Sequence, residues 1–565
     1  MHPFQHPCDP SCVWRRSIKT RRRGALTFAS ALGIACLADA AYADPIPLIT
    51  PGPSAPSSGE SVKTPAAAGA VPAGVLSQLN PIPGGSHQPT AQPVRRKIAT
   101  PQGPIRAKIA TPHGRVRRKV ATPQGPVRAP AIPSAWEGQN LLGDMWGLRP
   151  ALSKYGITLT VLENAETFGN LTGGVRQGFE VNGLTTAQLQ WDPDRVFGVH
   201  GGLFNVSGLQ IWGGDLSEAY LYNLETVTGI ETDPGIRLWE LWYLQKFGDK
   251  FAIKIGEQSL DQEFMISPNA SYFINAMFGW PILPTADLPG GGPAYPLASL
   301  GVRARVTVTD TVDVVAGLFN GSPIPENSPN TPKSNPYGVS FPLNTSVLAI
   351  AELHFRFPGS GASAKANEDH SLPGTYKIGA WYDSYRFDDQ QYDNMGVPLA
   401  SPASNGIPAD HHGDFSIYAL ADQMIWRSKD DPDRNLNVFI RPMFTPLQDR
   451  NLISFSVDAG LTMHGLFPGR DDDTFGLGMG VAQASSGPSG YDRQLQFYQP
   501  SVYMPVRSSE TFVEATYQVQ VKPWRQIQPE VQYIINPGAG IANPNDPTQR
   551  IKNELVIGLR TNVTF

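Results

Sequence analysis

The chain is expected to be all-β: a transmembrane antiparallel β-barrel of about 16 strands, preceded by a disordered N-terminal stem. Three observations lead there. Residues 1–43 have the form of an export signal, and the body beyond Tyr155 alternates apolar and polar side chains with a period of two. The last stretch, 553–565, is one more such strand and closes on Phe565.

The export signal comes first. Arg15, Arg16, Lys19, Arg21, Arg22 and Arg23 form a basic region, Ala25 to Ala38 a short apolar one, and Ala41-Tyr42-Ala43 supplies small residues for cleavage before Asp44. The apolar run is too short to span a bilayer, which needs about 20 residues. All three cysteines (Cys8, Cys12, Cys36) precede the cut, so the mature chain is expected to hold no disulfide, thiolate metal site or cysteine nucleophile.

Residues 44–135 form the stem. They contain no Phe, Tyr or Trp and 18 of the 53 prolines, so they cannot bury enough apolar surface to offset the entropy of ordering. An 11-residue repeat runs through them: VRRKIATPQGP (94–104), IRAKIATPHGR (105–115), VRRKVATPQGP (116–126), then VRAP. A Pro-Gly break in every unit opposes helix and sheet. The repeats carry ten basic residues and no acidic one, which suits either contact with an anionic partner such as cell-wall polymer or, as is commoner for charge runs, a solvated spacer. Residues 1–130 hold 17 of the 45 basic and 4 of the 49 acidic residues, leaving 28 against 45 beyond them, a net of −17. An acidic body argues against nucleic acid as a partner and is compatible with a pore mouth that disfavours anions.

A short helical segment over 136–156 leads into the barrel, which occupies 157–565. There, Val302, Ala304, Val306 and Val308 alternate with Arg303, Arg305, Thr307 and Thr309. Ala349, Ala351, Leu353 and Phe355 alternate with Glu352, His354 and Arg356, and the same holds for 453–463 and 513–521. Each run is about ten residues long, as a tilted transmembrane strand requires. A soluble sandwich also alternates, with its apolar side inward. Aromatics at the ends of the outer rows, the length of the body and the C-terminal strand ending in Phe565 favour the membrane reading. At roughly 25 residues per strand and connection, the body accommodates about 16 strands, closed because lipid tolerates no open sheet edge.

Several separated blocks then carry a family resemblance. They include Gly143-Asp144-Met145-Trp146-Gly147, Ile255-Gly256-Glu257-Gln258 followed by Asp261, Glu263 and Phe264, and Phe278-Gly279-Trp280-Pro281. Later come Gly374-Thr375-Tyr376-Lys377, Ala421-Asp422-Gln423 and Gln528-Pro529-Glu530-Val531-Gln532. In this order, over roughly 140–565, they resemble the carbohydrate-selective porins of the OprB type. The resemblance implies a 16-stranded barrel in the outer membrane of a Gram-negative bacterium that lets glucose and related small neutral sugars diffuse through. Pro150 departs from the unbroken helix the family favours there, although a helix starting at Pro150 is allowed. The stem is outside the resemblance.

If the apolar parity faces lipid, the pore-lining residues follow from alternation: Lys254, Gln258, Arg303, Arg305, Glu352, Arg356, Lys377, Arg441, Asp458, Glu514, Glu530 and Arg560. Mixed acid and base suit a neutral, hydroxyl-rich solute, because ionised groups bond hydroxyls strongly while opposite signs avoid a strong ion filter. The same residues also serve simply to pair with one another in a wet interior. The connection 257–301 is long and aromatic, so it is expected to fold inward and narrow the pore, with Trp280 either offering a ring face to a sugar or packing the loop on the wall. No nucleophile elbow, zinc motif or phosphate loop is present, and Asp471-Asp472-Asp473 lacks the spacing of a calcium loop. No catalytic residue, metal or cofactor is therefore expected. The alternative is a soluble or surface-attached carbohydrate-active β-protein, enzyme or binding module.

Overall fold

The computed structural model describes residues 139–326, 328, 330–343, 346–357 and 372–565. The expected signal peptide and the stem lie outside those residues. Strands β1 (Ile157–Gly174), β2 (Gly178–Trp191), β3 (Gly202–Gly213) and β4 (Gly235–Phe247) lead to β5 (Phe251–Gln258), β6 (Ser299–Thr309), β7 (Val312–Asn320) and β8 (Val347–Arg356). The long pair β9 (Gly374–Asp393) and β10 (Pro408–Arg427) follows, then β11 (Asn435–Phe444), β12 (Ile453–His464) and β13 (Thr474–Ala484). After β14 (Ser509–Lys522) and β15 (Arg525–Ile535), a small ribbon of β16 (Ala542–Asn543) and β17 (Asp546–Arg550) precedes β18 (Lys552–Thr564). Strands β1 to β15 and β18 form one closed antiparallel barrel of 16 strands.

Burial in the barrel is inverted relative to a soluble protein. Val302, Ile378, Ile440, Val513 and Leu559 are exposed, while their immediate neighbours Arg303, Lys377, Arg441, Glu514 and Arg560 are buried. Alternation thus places the apolar row outside and the polar row inside on strand after strand. An apolar belt of this extent needs lipid around it. Among the described residues no helix is long and apolar enough to cross a membrane, so the strands do the crossing.

The barrel closes where β1 meets β18, with Glu166 opposite Arg560 and Leu162 opposite Thr564. The peptide N–H of Phe565 donates to Val161 O at 2.9 Å, and that of Leu141 to Thr564 O at 2.8 Å. Helix α1 (Leu148–Ser153) lies beside this seam, and Arg149 donates to the carbonyls of Gly143 and Phe565. Pro150 sits in the first turn of α1, where its missing N–H is not needed. At one end of the barrel six of the seven connections are short (192–201, 248–250, 310–311, 428–434, 465–473 and 523–524). At the other end several are long, among them 214–234, 259–298 and 485–508, the last containing a helix, Ser486–Tyr498. In outer-membrane barrels the short turns face the periplasm.

Candidate functional site

Two of the long connections fold into the lumen. The loop 259–298, carrying a short helix, Ile282–Asp287, crosses to the far wall and is tied there by inward side chains of β8 to β15. Met265 N donates to Glu352 at 2.5 Å, and Lys377 Nζ donates to Ile266 O at 2.7 Å. Asp422 accepts from Ser267 at 2.6 Å and Asn269 at 2.9 Å. Glu514 accepts from the peptide N–H groups of Ile274 and Asn275 at 2.8 and 2.9 Å. Arg441 donates to the carbonyls of Met265, Met277 and Gly279, and also to Asp458.

Apolar packing sets the same loop in place. Phe273 and Phe278 stack at 4.4 Å, and Phe278 meets Phe439 at 5.8 Å and Phe512 at 5.4 Å. The wall makes room for them with glycine. Gly476, Gly478 and Gly480 occupy successive inward positions of β13, and a Cβ on Gly478 would come 2.6 Å from Phe278 and 2.8 Å from Phe273. No larger residue fits beneath these rings.

The loop's other flank is electrostatic. Glu263 lies 2.6 Å from Arg303, 3.1 Å from Lys254 and 3.9 Å from Arg305. Burial alone would raise the Glu263 carboxyl, but the three cations outweigh it and hold it below the usual carboxylate range. Asp261 nearby has no such counter-charge; burial pushes its carboxyl up to about 6 against the hydrogen bonds from Ser259 and the Tyr295 N–H. Asp287 is raised further, first by burial and then by the charge of Asp414, although it accepts from the N–H groups of Leu452 and Ile453.

The second inward loop, 214–234, packs against the first. Gly229 N donates to Ile274 O and Ala276 N to Thr226 O, both at 3.0 Å, so the two loops brace each other. Thr228 donates to Glu166 at 2.7 Å, and Arg560 donates to both Glu166 and Thr228. Gln532 reaches Val227 O at 2.6 Å.

The inward residues therefore split in use. Glu352, Lys377, Arg441, Asp458, Glu514 and Arg560 are buried beneath the two loops or fastened to them. Lys254 and Arg303 are buried on Glu263, and Gln258 donates to Gly301 O at 3.0 Å. Glu530 accepts from Gln532 at 2.9 Å. Only the side chains of Arg305, 38% exposed, and Arg356, 27% exposed and paired with Asp313, keep substantial access among the thirteen. Of the two roles open to Trp280, burial favours packing. Its ring is 2% exposed and its indole N–H donates to Gly291 O at 3.1 Å, so it packs inside the loop and offers no face to a passing sugar. The ring packs close to Gly292, where an added Cβ would come 3.5 Å from it, and burying so large an apolar surface is favourable.

Sequence reasoning passed over Glu166, Thr228 and the glycine lane. The lane had a visible signal, since Gly476, Gly478 and Gly480 alternate with Leu477 and Met479. The loop 214–234 had only its length, 21 residues between alternating runs. Among the described residues no three His, Cys, Asp or Glu side chains cluster closely enough to hold a metal ion.

A closed 16-stranded barrel with a polar interior and inward-folded loops defines a porin. The chain belongs to the carbohydrate-selective porins of the OprB family, whose model matches residues 176–565. It is a β-barrel of the Gram-negative outer membrane. It is 23% identical over 455 residues to Porin B of Pseudomonas aeruginosa, covering 75% of this chain and 91% of that protein. A putative porin of Acinetobacter baylyi, QuiX, is 22% identical over 427 residues, covering 72% of this chain and 90% of that one. The fold is also that of Pseudomonas putida OprB in its high-pH structure, with a TM-score of 0.66 at 21% identity over 76% of this chain and 99% of that chain.

Proposed function

We propose that the barrel is a diffusion channel for small neutral sugars, glucose among them, and performs no chemistry. The observation that carries this reading is the lumen itself: two inward loops narrow it, and acid and base are paired beside them at Glu263, at Glu166–Arg560 and at Arg441–Asp458. Paired charges and amides at these positions favour hydroxyl-bearing solutes over ions. Family membership supports carbohydrate as the solute class. Arg305 and Arg356 are the residues of the basic flank still placed to meet a solute. The basic repeats of the stem are proposed to act as a spacer, with cell-wall polymer as the partner to test. The deciding experiment is single-channel conductance of the purified protein in a planar bilayer with glucose titrated in. Stepwise openings that glucose partly blocks are expected. Openings indifferent to glucose would leave a general pore, and no openings from inserted protein would end the transport reading.

A further inference from the structure

On the side of the short turns, beneath the loop 259–298, the lumen widens into a cavity of about 700 Å³. That is within the range of small-ligand sites, roughly 300–1,000 Å³. Tyr272 of the inward loop contributes to its lining, with His464 of β12 meeting the tyrosine ring edge-on at 5.0 Å. The adjoining wall is amide-rich. Asn437 donates to Asn435 at 2.7 Å, and Gln526 donates to Gln520 at 2.8 Å. Each amide carries two N–H groups and an oxygen with two lone pairs, so these mutual bonds orient the side chains and leave further donors and acceptors for hydroxyls.

Charge in the cavity is one-sided. Asp422, Asp433, Asp471 and Asp472 line it, and among the described lining residues none is Lys or Arg; the guanidinium of Arg470 comes near, donating to Gln520 O at 3.3 Å. Asp422 is 6% exposed; one of its oxygens accepts from Ser267 and Asn269, while the other has no hydrogen-bond partner. This lining contrasts with the basic flank of Lys254, Arg303 and Arg305 that holds Glu263.

We propose that this cavity is a saccharide subsite on the exit side of the obstruction, and that it takes neutral and amino-substituted sugars in preference to acidic ones. The proposal rests on the sugar-channel reading and adds a second place, away from the basic flank at Glu263, where a solute is held. Hydroxyls would bond the amides, an ammonium substituent would be favoured by the four carboxylates, and a sugar carboxylate would be repelled by them.

The test uses the full-length protein in planar bilayers, with glucose, glucosamine or glucuronate added on the turn side. Glucose and glucosamine are expected to block at concentrations about tenfold lower than glucuronate, a difference of about 1.4 kcal/mol from like-charge repulsion. Gln526→Lys, which places a cation in the wall without touching either inward loop, is expected to strengthen block by glucuronate and weaken block by glucosamine. Gln526→Glu should do the reverse. If glucose blocks the wild type but the three sugars rank equally and neither variant changes them, the subsite is wrong and the sugar channel stands. If none of the sugars blocks an open channel, the subsite and the sugar reading fall together.

Discussion

Arg441 and Asp458 are direct cross-strand partners on β11 and β12, and between them they complete the hydrogen bonding of one guanidinium. Asp458 takes two of its five N–H groups, at 3.0 and 3.1 Å, and three loop carbonyls take the others. Neither side chain has any exposed surface. A buried charge pair earns little net stability by itself, but removing one partner strands the other. Here the carbonyls of Met265, Met277 and Gly279 would be stranded as well.

Arg441→Met is therefore expected to destabilise the barrel by about 3–5 kcal/mol and to loosen the inward loop. Single-channel recordings should show larger and noisier openings, and thermal unfolding should show a lower midpoint. Arg441→Met with Asp458→Leu should recover part of the stability while the openings stay noisy, because the carbonyls remain without donors.

Trp280 supplies a second prediction. Because the ring is enclosed, Trp280→Ala should lower stability by about 3–5 kcal/mol, the usual cost of emptying a large aromatic site. Trp280→Phe should keep most of the packing and lose only the bond to Gly291 O. Glucose block of Trp280→Phe is expected to match the wild type; a large loss of block with unchanged stability would restore the ring to the sugar path.

Glu263 governs the sign of the basic flank. With Glu263→Gln, Lys254, Arg303 and Arg305 lose their shared counter-charge. The zero-current potential in a salt gradient should shift toward anion preference, and the shift should shrink at high salt as screening sets in. An unchanged potential would show that ions do not sense this flank.

Asp261 gives a pH dependence of definite sign. Its folded-state value, about 6, lies above the ordinary aspartate value of 3.8. The folded protein thus binds this proton more tightly than the unfolded one, so the associated stability is present at low pH and is lost as pH rises through about 6. Wild type minus Asp261→Asn, measured by thermal unfolding from pH 4 to 7, should decline across that window by on the order of 3 kcal/mol. A flat difference would mean that water reaches the carboxyl.

Much of this architecture is legible in residue order. A period of two assigns a side without any knowledge of neighbours, so Arg303, Glu352, Arg441 and Glu514 could be placed inward from alternation alone. Chain length then limits the strand number. What alternation cannot reveal is what covers an inward residue. Arg441 reads as pore lining until Met265, 176 positions away, is seen to sit on it. Thr228 bonds Arg560 across 332 positions, a pairing that no local pattern encodes. Trp280 stays open between two roles in sequence for a related reason: whether an aromatic faces solute or protein depends on the shape of its own loop.

The glycine lane of β13 has a consequence for how such a sequence can change. Phe273 and Phe278 are cast against Gly476 and Gly478 as a form against its mould, from segments about 200 positions apart. A bulkier residue in the lane evicts a ring, and a smaller residue at either ring leaves a hollow in the lane. Substitutions at these two places are therefore viable mainly as matched pairs, so the channel's bore should drift in coordinated steps during descent instead of one residue at a time.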